Sequence, residues 1–307
     1  MNTSTTHHFD VLGLGCVAVD DLLYVPSYPP ADGKVRVERT ARRFGGLTGA
    51  ALVTAARLGA RCAYGGCMGT DELSQSVAAN FSSEGVDVSL APRLPEGRVI
   101  HATIIVGGDT GSRNIFYEAD GPIGAHPELP SAEAIHNAKV LFIDHYGMEG
   151  NLRAARAARR VGASVVADFE DDAVPLFDEV LGLVDHLILS EELALRMAGR
   201  SSAAEAALAL WQPSRSAVIV TCGANGCWSV SEGRREPHHH PAFKVKAVDT
   251  TGCGDVFHGA YAAALARGVP LDARIRFAAA AAALKASQPD IPRLAAVADF
   301  MRSAAKA

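Results

Sequence analysis

No apolar run in this chain approaches the ~20 residues that span a bilayer. The alanine stretch Ala278–Ala283 is too short, and Arg276 and Lys285 bracket it. A basic leader is also missing. The start, MNTSTTHHFDVLGLG, runs straight into a strand pattern, so the expected location is cytoplasmic. Positive charge is not in excess: Lys and Arg number 29 against 34 Asp and Glu, for a net −5. That excludes a broad basic field for nucleic acid or an anionic membrane, and any polyanion must be met by local groups. No G-x-x-x-x-G-K-[ST] occurs, which excludes a P-loop. Six cysteines in 307 residues do not make a disulfide scaffold. Cys62/Cys67 and Cys222/Cys227 are spaced more widely than usual zinc pairs, so buried reduced thiols are expected, with Cys16 and Cys253 alongside them. Internal repeats and low-complexity tracts are absent.

Strand and helix signals alternate along the chain. Phe9–Asp20, Ala138–Tyr146, Ser164–Phe169, Val184–Ser190 and Ser216–Cys222 read as buried strands. Gly46–Ala60, ELSQSVAANFSSEGV and NLRAARAARRVGA read as helices. Three more helices close the chain: Asp255–Arg267, Leu271–Ser287 and Pro292–Arg302. This order predicts a three-layer α/β/α core with a mainly parallel sheet. Two stretches break it. Asp20–Gly46 carries three prolines and two alternating strand signals, the second over Val35–Ala41. Arg98–Gly121 carries two strands around the turn GGDTGS. Both read as antiparallel excursions forming a small β-sheet lid. The expected division is 1–19, 44–97 and 120–307 as core, with 20–43 and 98–119 as lid. A small sheet with an open face and open edges also predicts a homodimer built through the lids.

Two motifs are decoys. Gly13–Ala18, GLGCVA, fits the dinucleotide fingerprint, but VDDLLYVPSYPP follows where a helix is required. His238–His240 lies between prolines and reads as an exposed turn before a strand, with metal binding as the alternative.

The stretch VDTTGCGDVFHGAYAAALARG, Val248–Gly268, places an acid at the mouth of a helix behind bare backbone. Helix N-termini carry unpaired N–H groups and partial positive charge, so Gly252, Cys253 and Gly254 form an anion-binding nest. An acid there repels an anion, but it suits a site where a hydroxyl loses its proton. The competing reading of Asp255 is a first-turn acid stabilising its helix. VTCGANGCW, Val220–Trp228, offers Thr221, Gly223 and Gly226 as a second phosphate contact, or a plain hairpin turn.

These residues resemble the ribokinase-like, PfkB-type carbohydrate kinases. DTTGCGDVFHGA matches the family's D-T-T-G-A-G-D-x-F-x-G-A, with Cys253 for alanine; RFGGLTGAALVTAARLGA, VTCGANG and LILSEELALRMAG follow its other signatures in order, from about residue 9 to 292. The resemblance implies ATP with Mg²⁺, a sugar acceptor, Asp255 as general base, and Gly252, Cys253 and Gly254 as the anion hole. It implies Thr221, Gly223 and Gly226 at ATP, with Ser190 at the family's N-x-x-E segment. It also implies small residues near Ala279 and Ala282 at adenine, and Asp20, Gly45 and Gly46 at the sugar. The tail His240–Ala260 is most similar to bacterial sulfofructose kinase, with Lys34, Tyr117 and Tyr146 at matching lid and core positions and Arg113 as a further cation for an anionic substituent.

Three departures stand out. Ala50 replaces the sugar-binding Asn, Leu193 replaces the last acid of N-x-x-E so that Glu191 is left as the metal-side acid, and the loop Ser287–Pro292 is shortened. The loop implies independence from potassium. The expected function is phosphorylation of a hydroxymethyl group of a monosaccharide or close relative. The alternatives are a nucleoside kinase, with Tyr117 and Tyr146 stacking on a base, or a non-catalytic sugar or nucleotide sensor.

Overall fold

In a computed structural model, residues 8–109 and 112–304 are described. Strand β1 (Phe9–Leu14) opens the core, and β2 (Ala18–Val25) and β3 (Arg39–Gly45) form a hairpin. Helix α1 (Leu47–Arg57), β4 (Cys62–Tyr64), α2 (Glu72–Ser83) and β5 (Val86–Asp87) return to the core. A second hairpin, β6 (Ile100–Gly107) and β7 (Arg113–Glu118), follows. Its apex, Thr110–Gly111 of the expected GGDTGS turn, lies outside the described residues. Then come α3 (Ala132–His136), β8 (Ala138–Asp144), α4 (Met148–Arg160), β9 (Ser164–Asp168), α5 (Phe177–Leu181) and β10 (His186–Ser190). Next are α6 (Glu191–Ala198), α7 (Ala203–Leu210), β11 (Ala217–Thr221), β12 (Cys227–Ser231) and β13 (Arg234–His240). Helices α8 (Cys253–Ala266), α9 (Leu271–Ser287) and α10 (Leu294–Ala304) end the fold.

The nine-stranded sheet runs β13-β12-β11-β10-β9-β8-β1-β4-β5. It is parallel from β11 to β5, and β12 and β13 are antiparallel. Parallel strands covered on both faces read as unbroken apolar runs, as AKVLFID in β8 does. One core lies between the sheet and α1, α8 and α9, around Leu52, Phe142, Phe257 and Ile275. The other lies under α4, α6 and α7, around Leu141, Ala154, Leu189 and Ala207. Helices on both faces complete the expected three layers. The four-stranded sheet runs β3-β2-β6-β7, two antiparallel hairpins joined by the parallel pair β2–β6. Its own small core is Leu22, Ala102 and Ile104, while Ile115, Phe116 and Tyr117 of edge strand β7 stand exposed. Among the described residues no helix is long and apolar enough to cross a membrane.

Three local expectations are corrected. Phe9–Asp20 is two strands in two sheets rather than one. The chain leaves the core after Leu14 because the Cys16 N–H is drawn to the Asp144 carboxylate at 2.7 Å, and Ala18 opens the smaller sheet. Both halves are apolar, so hydrophobicity alone hides the break. The second strand of the first excursion begins at Arg39, not Val35, because β2 runs out: Tyr24↔Arg39 is the last pair. Finally, His238–His240 is the end of strand β13 rather than a turn. Pro237 is tolerated because β13 is the outer strand, where a missing N–H breaks no ladder.

Gly15 sits where β1 turns out. A Cβ there would collide with the Thr48 hydroxyl and the Asp144 carboxylate. Gly15→Ala is therefore expected to destabilise the fold by about 3 kcal/mol, at the upper end of overpacking costs. Thermal unfolding should show a midpoint several degrees lower. An unchanged midpoint would mean that this corner relaxes freely.

Candidate active site

The last residues of the parallel strands lie on one rim: Leu14, Asp144, Asp168, Ser190 and Thr221. Open α/β sheets bind ligands outside this carboxyl edge. Asp144, wholly buried, organises the rim. Its carboxylate accepts hydrogen bonds from Cys16 N at 2.7 Å, Thr48 Oγ1 at 2.8 Å and Tyr146 N at 2.8 Å. Burial pushes its pKa up, and these donors together with His145 pull it back.

Helix α8 starts at this rim. Gly252 caps it in the left-handed region (φ 74°), a conformation that costs glycine nothing. The Cys253 N–H donates to the Thr250 carbonyl at 3.2 Å. Among the described residues no acceptor faces the N–H groups of Gly254 and Asp255, which remain as donors at the helix mouth. The helix begins two residues earlier than the expected Asp255, so Cys253 and Gly254 belong to its first turn.

Two cavities meet here. One of about 350 Å³ is lined by Cys16, Gly46, Leu47, Ile100, Tyr146, Glu170 and the run Thr250–Asp255. The other, of about 500 Å³, has glycines Gly223 and Gly226 on one wall and Ala279, Ala282, Ala283 and Ala286 on another. They share Thr250, Cys253 and Gly254. A wider groove of about 620 Å³ on α4, with Arg153, Arg156 and Arg160, shares no residue with either.

Charge around the helix mouth is dense. Asp255 is half-buried, and its pKa is pushed well above the usual carboxylate range, by burial first and then by the Asp168 carboxylate. His258, one turn behind, pulls it back down. The buried His258 ring meets only acceptors. Nδ1 is 2.8 Å from the Gly254 carbonyl and 3.2 Å from Asp168 Oδ2, and Nε2 is 3.1 Å from the Ile188 carbonyl. Nδ1 is aligned with the carbonyl, so Asp168 Oδ2 has a close ionic contact but no aligned hydrogen bond. A neutral imidazole donates only once, so it can satisfy only one of the two carbonyls its nitrogens face.

On the other side of the mouth, Asp249 gathers three cations. Arg43 Nη1 lies at 2.9 Å, Lys285 Nζ at 3.7 Å and Arg113 Nη1 at 3.8 Å. Burial opposes the Asp249 carboxylate, but hydrogen bonds from Thr251 and then Arg43, together with the charge of Lys285, outweigh it and hold its pKa at about 2. Arg43 and Arg113 come from the lid strands β3 and β7, so this carboxylate also ties the lid to the core.

The residues nominated from the sequence are distributed as follows. Gly46, Tyr146, Gly252, Cys253, Gly254 and Asp255 line the smaller cavity. Thr221, Gly223, Gly226, Ala279 and Ala282 line the larger. Asp20 lies outside both linings on β2, with its carboxylate facing Gly45, and burial pushes its pKa up against the pull of Arg43. Tyr146 is pushed to about 12, chiefly by burial, with the nearby Tyr117 phenol adding to the effect. Tyr117 itself is exposed on β7, and Lys34 is exposed in the loop between β2 and β3. Ser190 caps α6 through its hydroxyl, which accepts from Leu193 N at 3.4 Å. Glu191 opens that helix beside Cys222. Ala50 is buried in α1. Sequence reasoning missed Asp144, Asp168, Glu170, Asp249 and Lys285. Asp144 and Asp168 had a usable signal, since each ends an apolar strand of a parallel sheet, and Glu170 follows two residues after.

Residues 14–291 match the model of the pfkB family of carbohydrate kinases. The ribokinase of Haemophilus influenzae is 28% identical over 304 residues, which cover 95% of this chain and 98% of that protein. The crystal structure of ribokinase from Thermotoga maritima superposes with a TM-score of 0.83 at 26% identity, covering 96% of this chain and 99% of that one. Arabidopsis thaliana ribokinase complexed with ribose and ATP gives 0.84 at 21% identity, covering 96% and 99%. The family match takes in every residue that lines the two adjoining cavities, and the chain belongs to the pfkB family of carbohydrate kinases.

Proposed function

We propose that this protein transfers the γ-phosphoryl group of ATP to a hydroxymethyl group of a monosaccharide. The observation that carries this reading is the junction of the two cavities at the N-terminus of α8, with Asp255 beside it. The larger cavity suits ATP. Its alanine wall is apolar enough for adenine, and Gly223 (φ 55°), with open space where a side chain would be, lets phosphates approach bare backbone, while Gly226 (φ 85°) packs on β13. The 28% identical ribokinase supports the same assignment of class. Magnesium keeps most of its water and binds through phosphates plus one or two carboxylates; Glu191, outside the cavity lining but beside Cys222, would be one such carboxylate. When bound, the ion neutralises charge on the transferring phosphate.

The smaller cavity would hold the sugar. Asp255 takes the proton from the attacking hydroxyl, and the free N–H groups of Gly254 and Asp255 face the charge that moves onto the phosphoryl oxygens. A general base works best with a pKa near the working pH, and burial together with Asp168 moves Asp255 in that direction. Among the described residues no lysine or arginine lines this cavity, and Arg43 and Arg113 are both engaged by Asp249. That lining favours a neutral, hydroxyl-rich acceptor over a sulfonated one. Lys34 would have to move with the lid to meet an anionic substituent.

Asp255→Asn should keep the fold and ATP binding but lose about 10²–10⁴ in turnover, because Asn holds the shape yet cannot accept the proton. Steady-state rates with a panel of pentoses and hexoses, alongside ATP titration calorimetry, test this. A variant within about threefold of the parent would remove Asp255 from the chemistry, since that is under 1 kcal/mol.

Potassium should have no specific effect. The buried Lys285 ammonium already sits 3.4 Å from the Asp249 carbonyl, supplying a fixed cation behind the anion-binding loop. Rates in tetramethylammonium chloride and in KCl at equal ionic strength should agree. A rise confined to KCl overturns this.

A homodimer through the lids is also expected. Phe116, 55% exposed on edge strand β7, takes the face opposite Ile115 and Tyr117, and a second lid packed along that edge would cover it. Light scattering at micromolar concentration should give about twice the 32.1 kDa chain mass, and Phe116→Lys should return the monomer. A monomeric parent protein refutes it.

A further inference from the structure

The three consecutive histidines were read as a turn, and their place in β13 changes what they can do. Side chains alternate along a strand, so His238 and His240 share one face and His239 takes the other. The His238 and His240 rings are 4.7 Å apart, whereas His239 packs against Trp228 and its Nε2 lies 2.8 Å from the Asn225 carbonyl. Asp272, in the first turn of α9, faces the pair from a different element. One ligand atom from each of His238, His240 and Asp272 lies within 4.8 Å of the others.

We propose that His238, His240 and Asp272 bind a transition-metal dication of the zinc class. Two imidazoles and a carboxylate are the donor set such ions select over magnesium or calcium, and three protein ligands leave a position for water. Tetrahedral ligands at ~2.1 Å from zinc stand ~3.4 Å apart, a gap that rotation of the exposed Asp272 side chain closes. The groups around the site are compatible with it. His240 Nε2 is 2.8 Å from the Ser229 hydroxyl, which holds the ring in place. Arg234 now holds Asp272 at 3.2 Å, but both side chains are about half exposed. Such a pair contributes little, and a dication outcompetes it.

The position gives the ion a consequence. β13 leads into Ala242–Ala247, one wall of the larger cavity, and α9 supplies the alanine wall. The His240 carbonyl also packs directly on Gly226. A metal joining β13 to α9 therefore ties two walls of that cavity together.

The test uses tag-free full-length protein stripped with EDTA. Cobalt(II) titration should show one site, with a nitrogen/oxygen spectrum free of the near-ultraviolet thiolate charge-transfer band. Zinc calorimetry should give the same stoichiometry, and zinc should raise the unfolding midpoint. His238→Ala and Asp272→Asn should each weaken binding at least tenfold, while His239→Ala, on the opposite face, should leave it unchanged. Circular dichroism and ATP binding establish that each variant is folded, and the near-isosteric Asp272→Asn guards against a misfolded alanine variant. Absence of binding, parental affinity retained in either His238→Ala or Asp272→Asn, or a thiolate spectrum lost in Cys222→Ser would each overturn the proposal.

Discussion

One buried carboxylate holds the rim of the smaller cavity together. Asp144 ends a central strand and accepts hydrogen bonds from the loop after β1, the first turn of α1 and the loop after β8. Two of the donor residues, Cys16 and Tyr146, line the smaller cavity themselves, and so does Leu47, the neighbour of the third, Thr48. Removing the carboxylate would leave a buried hydroxyl and two buried N–H groups without partners, at roughly 1–3 kcal/mol each. It also fixes why residue 15 is glycine, since the carboxylate and the Thr48 hydroxyl occupy the space a side chain would need. The bend that sends β2 out into the lid is thus set from inside the core.

The second organising principle is the division of charge across the mouth of α8. On one side Asp255 has a raised pKa, pushed up by burial and then by Asp168. On the other side Asp249 is held ionised against burial by hydrogen bonds from Thr251 and Arg43 and by the charge of Lys285, with Arg113 at 3.8 Å. Two carboxyls six residues apart in the chain are thus shifted in opposite directions. Arg43 and Arg113 reach Asp249 from the lid, so lid position and the electrostatics of the loop before α8 are coupled through one side chain.

Much of this was legible in the sequence, and the reason is local. The parallel strands β1, β8, β9, β10 and β11 are largely apolar runs of five to seven residues, and the DTTGCGD stretch contains its own turn, cap and acid. Short-range chemistry dictates each of these, so composition and order suffice for the three layers, the small lid and the helix-mouth site. Gly252 at φ 74° and the bare first turn of α8 follow from having no side chain at the right places.

The rest depended on which distant segments meet. Phe9–Asp20 looks continuous because both halves are apolar; only Asp144, some 130 residues later, breaks it. Lys285 reads as a solvated lysine at a helix end until packing buries it against Asp249. The histidine tract could not be assigned a face until β12 fixed its register and α9 brought Asp272 alongside. The sequence therefore determined the layers, their order and the glycine-flanked start of α8, because turn, cap and burial signals act within a few residues. Tertiary structure alone decided which charges share a cavity, because those pairings span 36 to 206 residues of chain and are set by sheet order rather than by any local preference.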